Sequence, residues 1–169
     1  MAGLSGSGKS KTAQALAIAA GAIRLRSDAI RKHIAGISIH EKGSDDIYTP
    51  AMSDKTYTHL IELGVQLASQ GYRVILDAKF DRKAKRQEAI AAAQSRNIAL
   101  TFLHCTAPKE VLEARLNKRE GDIADATAAI LAKQSMEPFD ESTSVKVINT
   151  HQPKAVARHQ LADVFSTAK

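Results

Sequence analysis

Residues Gly3-Leu4-Ser5-Gly6-Ser7-Gly8-Lys9-Ser10 fill the eight positions of the pattern G-x-x-x-x-G-K-S/T. A loop this rich in glycine turns backbone N–H groups inward around phosphate oxygens, because no Cβ blocks the approach. Lys9 stands where the side chain reaches the β- and γ-phosphates, and Ser10 where a hydroxyl ligates Mg²⁺. The helix that starts here directs the positive end of its dipole at the same anion. Gly3, Ser5, Gly6, Ser7, Gly8, Lys9, Ser10 and Lys11 are therefore the expected contacts of a nucleotide, with ATP and Mg²⁺ as ligands. The bland alternative is a chance glycine-serine loop, against which the helical residues that follow argue.

Two carboxylates are placed to work on such a ligand. Asp28, in Ser27-Asp28-Ala29-Ile30-Arg31, follows a short strand and is positioned to accept a proton from a hydroxyl facing the γ-phosphate. Arg31, about one helical turn on, shares its face and clamps a substrate anion. Asp77 closes the apolar run Val74-Ile75-Leu76, where an aspartate beside a phosphate loop orients Mg²⁺ or its water. No Glu follows Asp77, so the Asp-Glu pair that activates water in many ATP hydrolases is missing, and transfer to a hydroxyl is favoured over hydrolysis. The competing readings are that Asp28 only caps a helix, with Arg31 its solvated partner, and that Asp77 only caps a strand.

Five of the eight residues from Lys79 to Arg86 are basic. Several fall in the first turn of a helix, where the dipole disfavours cations by about 0.3–1 kcal/mol each. An anion nearby would offset this, which makes Lys79 and Arg82 candidate substrate contacts; a solvated charged face is the alternative. Arg115 and Arg119 share a helix face leading into the polar residues 120–125, placed to neutralise a phosphoryl group in flight or simply to line a surface. The six histidines show no metal-ligand spacing.

The elements that must hold these residues alternate. Periodicity predicts helices at 9–20, 27–34, about 54–71, 82–96, 108–119, 126–134 and 154–168. Strands are predicted at 22–26, 73–77, 98–104 and 145–149. The pattern is α/β, with a parallel sheet covered on both faces and ligands at the carboxyl ends of its strands.

At 169 residues the chain suits one domain, with ordinary hydrophobic (44%) and charged (25%) content. No apolar run approaches a membrane span, and no signal-peptide pattern opens the chain. Cys105 is the sole cysteine, which excludes an intrachain disulfide and a cysteine metal cluster. It reads as a packed thiol in a reducing, cytoplasmic setting. The net charge of +6 suits small phosphates or nucleic acid, while three Tyr, four Phe and no Trp provide little base-stacking surface.

Only Met1 and Ala2 precede the loop, although such a loop follows a buried strand. The chain is thus expected to be a fragment, or cut at its N-terminus. Its sheet should show a central gap, a substitute strand or a neighbouring chain in that slot, and its stability should be marginal.

In this order, the motifs resemble P-loop kinases related to gluconate kinase, polynucleotide kinase and zeta-toxin-type kinases. The greatest likeness is to a predicted kinase domain labelled an AAA-family ATPase and found fused behind an aminoglycoside-phosphotransferase-like domain. The resemblance runs through Gly3–Ser10, Leu25-Arg26-Ser27-Asp28, Tyr48-Thr49-Pro50, Leu76-Asp77-Ala78, Arg115-Leu116, Gly121-Asp122 and Asp125-Ala126. It implies the P-loop NTPase fold, a five-stranded sheet ordered 2-3-1-4-5, and a lid at about 119–138. By that likeness Asp28 is the general base, Arg31 a substrate contact, and Arg115 and Arg119 lid arginines. Lys79 stands where the family has Thr.

The expected activity is transfer of the γ-phosphoryl of ATP to a hydroxyl of a small molecule. A 5′-hydroxyl polynucleotide kinase and a nucleotide-binding regulatory module of a fused partner are the alternatives.

Overall fold

The computed structural model describes residues 1–118, 128–152 and 164. Strand β1 (Ile23–Arg26) pairs in parallel with β2 (Val74–Asp77), Ile23 opposite Val74 and Arg26 opposite Asp77. A second parallel pair joins β3 (Phe102–Thr106) to β4 (Val145–Asn149), from Phe102–Val145 to Thr106–Asn149.

Met1 and Ala2 run between the two pairs. The Met1 amine donates to the Leu76 carbonyl at 2.7 Å. Ala2 donates to Leu103 O at 2.7 Å and accepts from the Cys105 N–H at 2.9 Å, in a parallel bridge to His104. With residues 1–2 counted as the first strand, the spatial order is 2-3-1-4-5. The central position is held by these two residues and by no other strand among the described residues.

Helix α1 (Lys9–Ala20) stops at Gly21, whose left-handed φ of 59° lets its N–H turn back to Ala17 O. Helix α2 (Ser27–Ile34) follows β1 directly. Helix α3 (Pro50–Ser69) starts three or four residues earlier than periodicity suggests. Thr49 Oγ1 accepts from the Met52 N–H at 3.3 Å, and Pro50 supplies a first helical residue with no N–H to satisfy. Helix α4 (Lys83–Gln94) ends through Asn97, at φ 54°, with the Ile98 N–H on Ala93 O. That turn uses up residues 98–101, so β3 begins at Phe102 rather than at 98. Helices α5 (Lys109–Asn117) and α6 (Ala128–Ala132) complete the described helices. The helix expected at 154–168 and the lid residues 119–127 lie outside the described residues.

Apolar residues cover both faces of the sheet. Tyr57, Leu60 and Ile61 of α3 meet Ala2, Ala78, Phe80, Ala89 and Phe102. Ala13 and Leu16 of α1 meet Met1, Ile75, Leu103, Cys105 and Ile148 in a second cluster. No described helix is long and apolar enough to cross a membrane.

One core residue bears directly on the site. Phe80 is buried with φ 44°, a conformation costing a non-glycine residue about 1–3 kcal/mol. Edge-on contacts to Tyr57 (5.1 Å) and Phe102 (5.6 Å), and an N–H···OH bond to Tyr57 at 3.0 Å, hold it there. The turn so fixed presents the Lys79 carbonyl to the Gly3 N–H at 2.9 Å, tying the end of β2 to the start of the glycine loop.

Candidate nucleotide-binding site

The loop between residue 2 and α1 depends on its glycines at both ends. Gly3 has φ 130°, and a Cβ there would stand 2.4 Å from Cys105 O. Gly8 has φ 85° and would meet the Thr150 side chain at 3.2 Å. No side chain caps α1. The N–H groups of Lys9, Ser10 and Lys11 have no acceptor within the helix, because first-turn donors never do. Lys9 Nζ donates to Leu4 O at 2.7 Å, which bends its ammonium back over the loop. Ser7 does not offer its hydroxyl to a ligand: Oγ is buried, packs under Gly3 and has no hydrogen-bond partner.

Asp28, in the first turn of α2, lies in the fields of Arg31, Arg26, Asp77 and Lys9, so these expected groups do converge. Burial pushes its carboxyl above the ordinary value; Arg31 and Arg26 oppose the shift without reversing it. Arg31 is buried, donating to Ile47 O (3.1 Å) and Ser53 Oγ (3.3 Å) and lying 5.1 Å from the Tyr48 ring centroid. Its Nε is buried without a partner.

Asp77 is closely held. Arg24 donates to Oδ2 twice, from Nε at 3.1 Å and Nη2 at 2.5 Å, and Arg26 Nε lies 3.9 Å from the same oxygen. Sequence reasoning passed over Arg24 as a partner. The signal was the alternation Ile23-Arg24-Leu25-Arg26, which places both arginines on one face of a strand beside the aspartate. For Mg²⁺ the donors are of the right kind, a Ser10 hydroxyl and an Asp77 carboxylate. Magnesium is ordinarily held by one or two carboxylates with phosphates and water completing the shell, so this sparse set fits it.

Three of the expected contacts are engaged within the chain. The Arg115 guanidinium bonds Gly6 O (3.2 Å), Thr150 Oγ1 (2.9 Å) and Thr150 O (2.8 Å). Thr150 in turn donates to Ser7 O, so α5 and the end of β4 brace the loop from outside. Thr150 went unnoticed in the sequence, although it sits at a strand's carboxyl end.

Lys79 and Arg82 are also engaged within the chain. Lys79 pairs with Asp81 at 2.9 Å, and Arg82 with Glu137 at 3.2 Å. The anion offsetting the cations at the start of α4 is intrachain: Glu137 accepts the Lys83 N–H, and Asp140 pairs with Lys83. The Lys83 N–H and Arg82 hold the Glu137 carboxyl below its usual range.

Arg86 is buried and structural. It donates to the carbonyls of Phe80, Asp81, Glu137 and Pro138, and lies 4.4 Å from the Phe139 ring centroid. Arg119 lies outside the described residues. Cys105 is a packed thiol, as expected, raised in pKa by burial.

A glycine loop capping a helix at the carboxyl ends of a 2-3-1-4-5 parallel sheet defines a P-loop NTPase fold of the kinase type. Residues 1–138 match the family described as an AAA domain (AAA_33), and the chain belongs to it. Uncharacterized proteins of Mycobacterium tuberculosis and Mycobacterium bovis are 28% identical over 167 residues, 96% of this chain. The chain spans about a third (33%) of the length of those relatives.

Among solved structures, a gluconokinase from Sinorhizobium meliloti has a TM-score of 0.63 at 26% identity, over 95% of this chain and 87% of that one. A sugar kinase from Janibacter sp. has a TM-score of 0.66 at 24% identity, over 94% and 88%. The APS kinase CysC of Mycobacterium tuberculosis, in complex with AMPPNP and APS, has a TM-score of 0.66 at 19% identity, over 94% and 90%.

Proposed function

We propose that this chain is an ATP·Mg²⁺-dependent kinase that moves the γ-phosphoryl of ATP to a hydroxyl of a small molecule. The observation that carries the reading is the glycine loop at residues 3–10, its Lys9 ammonium bent back onto Leu4 O, with Asp28 in the first turn of α2 directly after β1. The gluconokinase likeness, at 26% identity, supports the same class of reaction.

The loop N–H groups and Lys9 bind and orient the phosphates, and Lys9 exchanges its Leu4 carbonyl for them. Ser10 and Asp77 would hold the metal. When bound, Mg²⁺ neutralises charge on the phosphate oxygens. Asp28 accepts the proton of the acceptor hydroxyl at its carboxylate, and Arg31, whose charge acts on Asp28, is the proposed contact of the acceptor. Arg119 remains a proposed lid arginine by resemblance.

The test is transfer from labelled ATP to a panel of hydroxyl compounds, comparing the native chain with Asp28→Asn. Transfer lost with ATP binding kept is the expected result. Transfer undiminished in the variant would overturn the general-base role of Asp28.

A further inference from the structure

The backbone N–H and the hydroxyl of Ser5, the third position of the glycine loop, are both engaged by one side chain far away in sequence. Gln134 Oε1 accepts from the Ser5 N–H at 3.0 Å, and Gln134 Nε2 donates to Ser5 Oγ at 3.0 Å. The amide orientation follows from the partner, since a backbone N–H can only donate.

The contact is built from both sides. Leu131 of α6 is buried with Leu112 and Leu116 of α5, and Leu4 packs on that cluster. Beyond Gln134, the Glu137 N–H is fixed on Asp81 O at 2.9 Å, and Arg86 holds the carbonyls of Glu137 and Pro138.

The place of this contact along a bound phosphate chain follows from Lys9. In such loops that lysine reaches the β- and γ-phosphates. Here its ammonium sits on Leu4 O, one residue from Ser5. We infer that Gln134 is a specificity-determining residue at the terminal-phosphate end of the loop, distinguishing nucleoside triphosphates from diphosphates. The inference rests on the nucleotide-binding reading of residues 3–10.

An amide suits this task because it carries both an acceptor and two donors. Without a terminal phosphate, Oε1 occupies the Ser5 N–H. A γ-phosphate oxygen is a second acceptor competing for that N–H, and the –NH₂ group of the same amide is then the favourable partner for the anion. A diphosphate makes no such demand. A carboxylate at position 134 would keep the bond to the Ser5 N–H but would repel the terminal phosphate.

The experiment measures dissociation constants of ATP·Mg²⁺ and ADP·Mg²⁺ by calorimetry for the native chain, Gln134→Glu, Gln134→Met and Lys9→Ala. Gln134→Glu is expected to weaken ATP binding at least tenfold and ADP binding less than threefold. Gln134→Met, of similar length and uncharged, should lower the preference for ATP over ADP about threefold or more, and it decides the matter if the Glu variant does not fold. Equal effects on both nucleotides, or none on either, would overturn the inference and leave Gln134 as a packing residue. Nucleotide affinity unchanged in Lys9→Ala would instead sink the loop assignment, and the inference with it.

Discussion

Arg24 donates two hydrogen bonds to a single oxygen of Asp77, across the β1–β2 register and 53 positions apart in sequence. The aspartate side chain is 3% exposed and the arginine 16%, so the pair is largely shielded from water. Arg24→Ala is expected to destabilise the fold by about 1–3 kcal/mol, because the buried carboxylate loses both of its short hydrogen bonds from Arg24 and is left with Arg26 at 3.9 Å. Urea unfolding measures it. In the double variant Arg24→Ala/Asp77→Asn, much of the loss should return, since a neutral amide needs no counter-charge. A double variant as unstable as the sum of the single ones would show that the two residues act independently.

Lys9→Ala should abolish phosphoryl transfer and greatly weaken ATP·Mg²⁺ binding, since it removes the cation bent over the loop. Equal affinity in a titration of both forms would contradict the role.

Asp28→Asn is expected to keep ATP binding and cut turnover by ~10²–10⁴. It should also stabilise the protein at pH above the ordinary aspartate range. Burial raises the Asp28 carboxyl above its ordinary value, so between the two values the folded chain holds a proton that the unfolded chain releases. Stability therefore falls as pH rises through that window, and the loss persists above it. Asparagine carries no such cost. The melting-temperature gain of the variant should vanish below the ordinary aspartate range and grow as pH rises above it, until the folded-state carboxyl has ionised. The acid limb of the native pH–rate profile should lie above that range for the same reason.

Thr150→Val removes the hydroxyl that accepts from Arg115 and donates to Ser7 O, while keeping the side-chain volume. Nucleotide affinity should fall although residue 150 lies outside the loop, because the hydroxyl's bond to Ser7 O and the Arg115 bond that steadies it are lost. Arg115→Lys should resemble it, since an ammonium cannot reproduce the forked contacts to Gly6 O and Thr150. Variants with native affinity would show the brace to be dispensable.

The parts of the site that were legible in the sequence are contiguous. Residues 3–10 carry their chemistry in spacing alone, and α1 and β4 stand where periodicity puts them, bounded by Gly21 and by Asn149 at a strand end. Asp28 and Asp77 were proposed from the strand-end rule, and the structure places Asp77 at the end of β2 and Asp28 in the turn of helix that follows β1. What escaped is non-local: Arg24 to Asp77, Arg115 to Thr150 at 35 positions, and Gln134 to Ser5 at 129. A charge count identified the cluster at 79–86 but could not show that its counter-ions are Asp81, Glu137 and Asp140, brought in by the fold. The start of α3 was missed for a local reason, the Thr49-Pro50 cap lying at the end of a polar stretch.

The anchors on either side of Gln134 have a kinetic meaning. Leu131 is set in the α5 cluster and Glu137 is clamped by Arg86 and Asp81, each three positions away. Three residues of chain reach about 10 Å at most, so the amide stays within that distance of both anchors even when its bonds to Ser5 break. Its effective concentration near Ser5 is on the order of millimolar or higher. Breaking and remaking the contact therefore involves a short tether and leaves the sheet and both anchors in place.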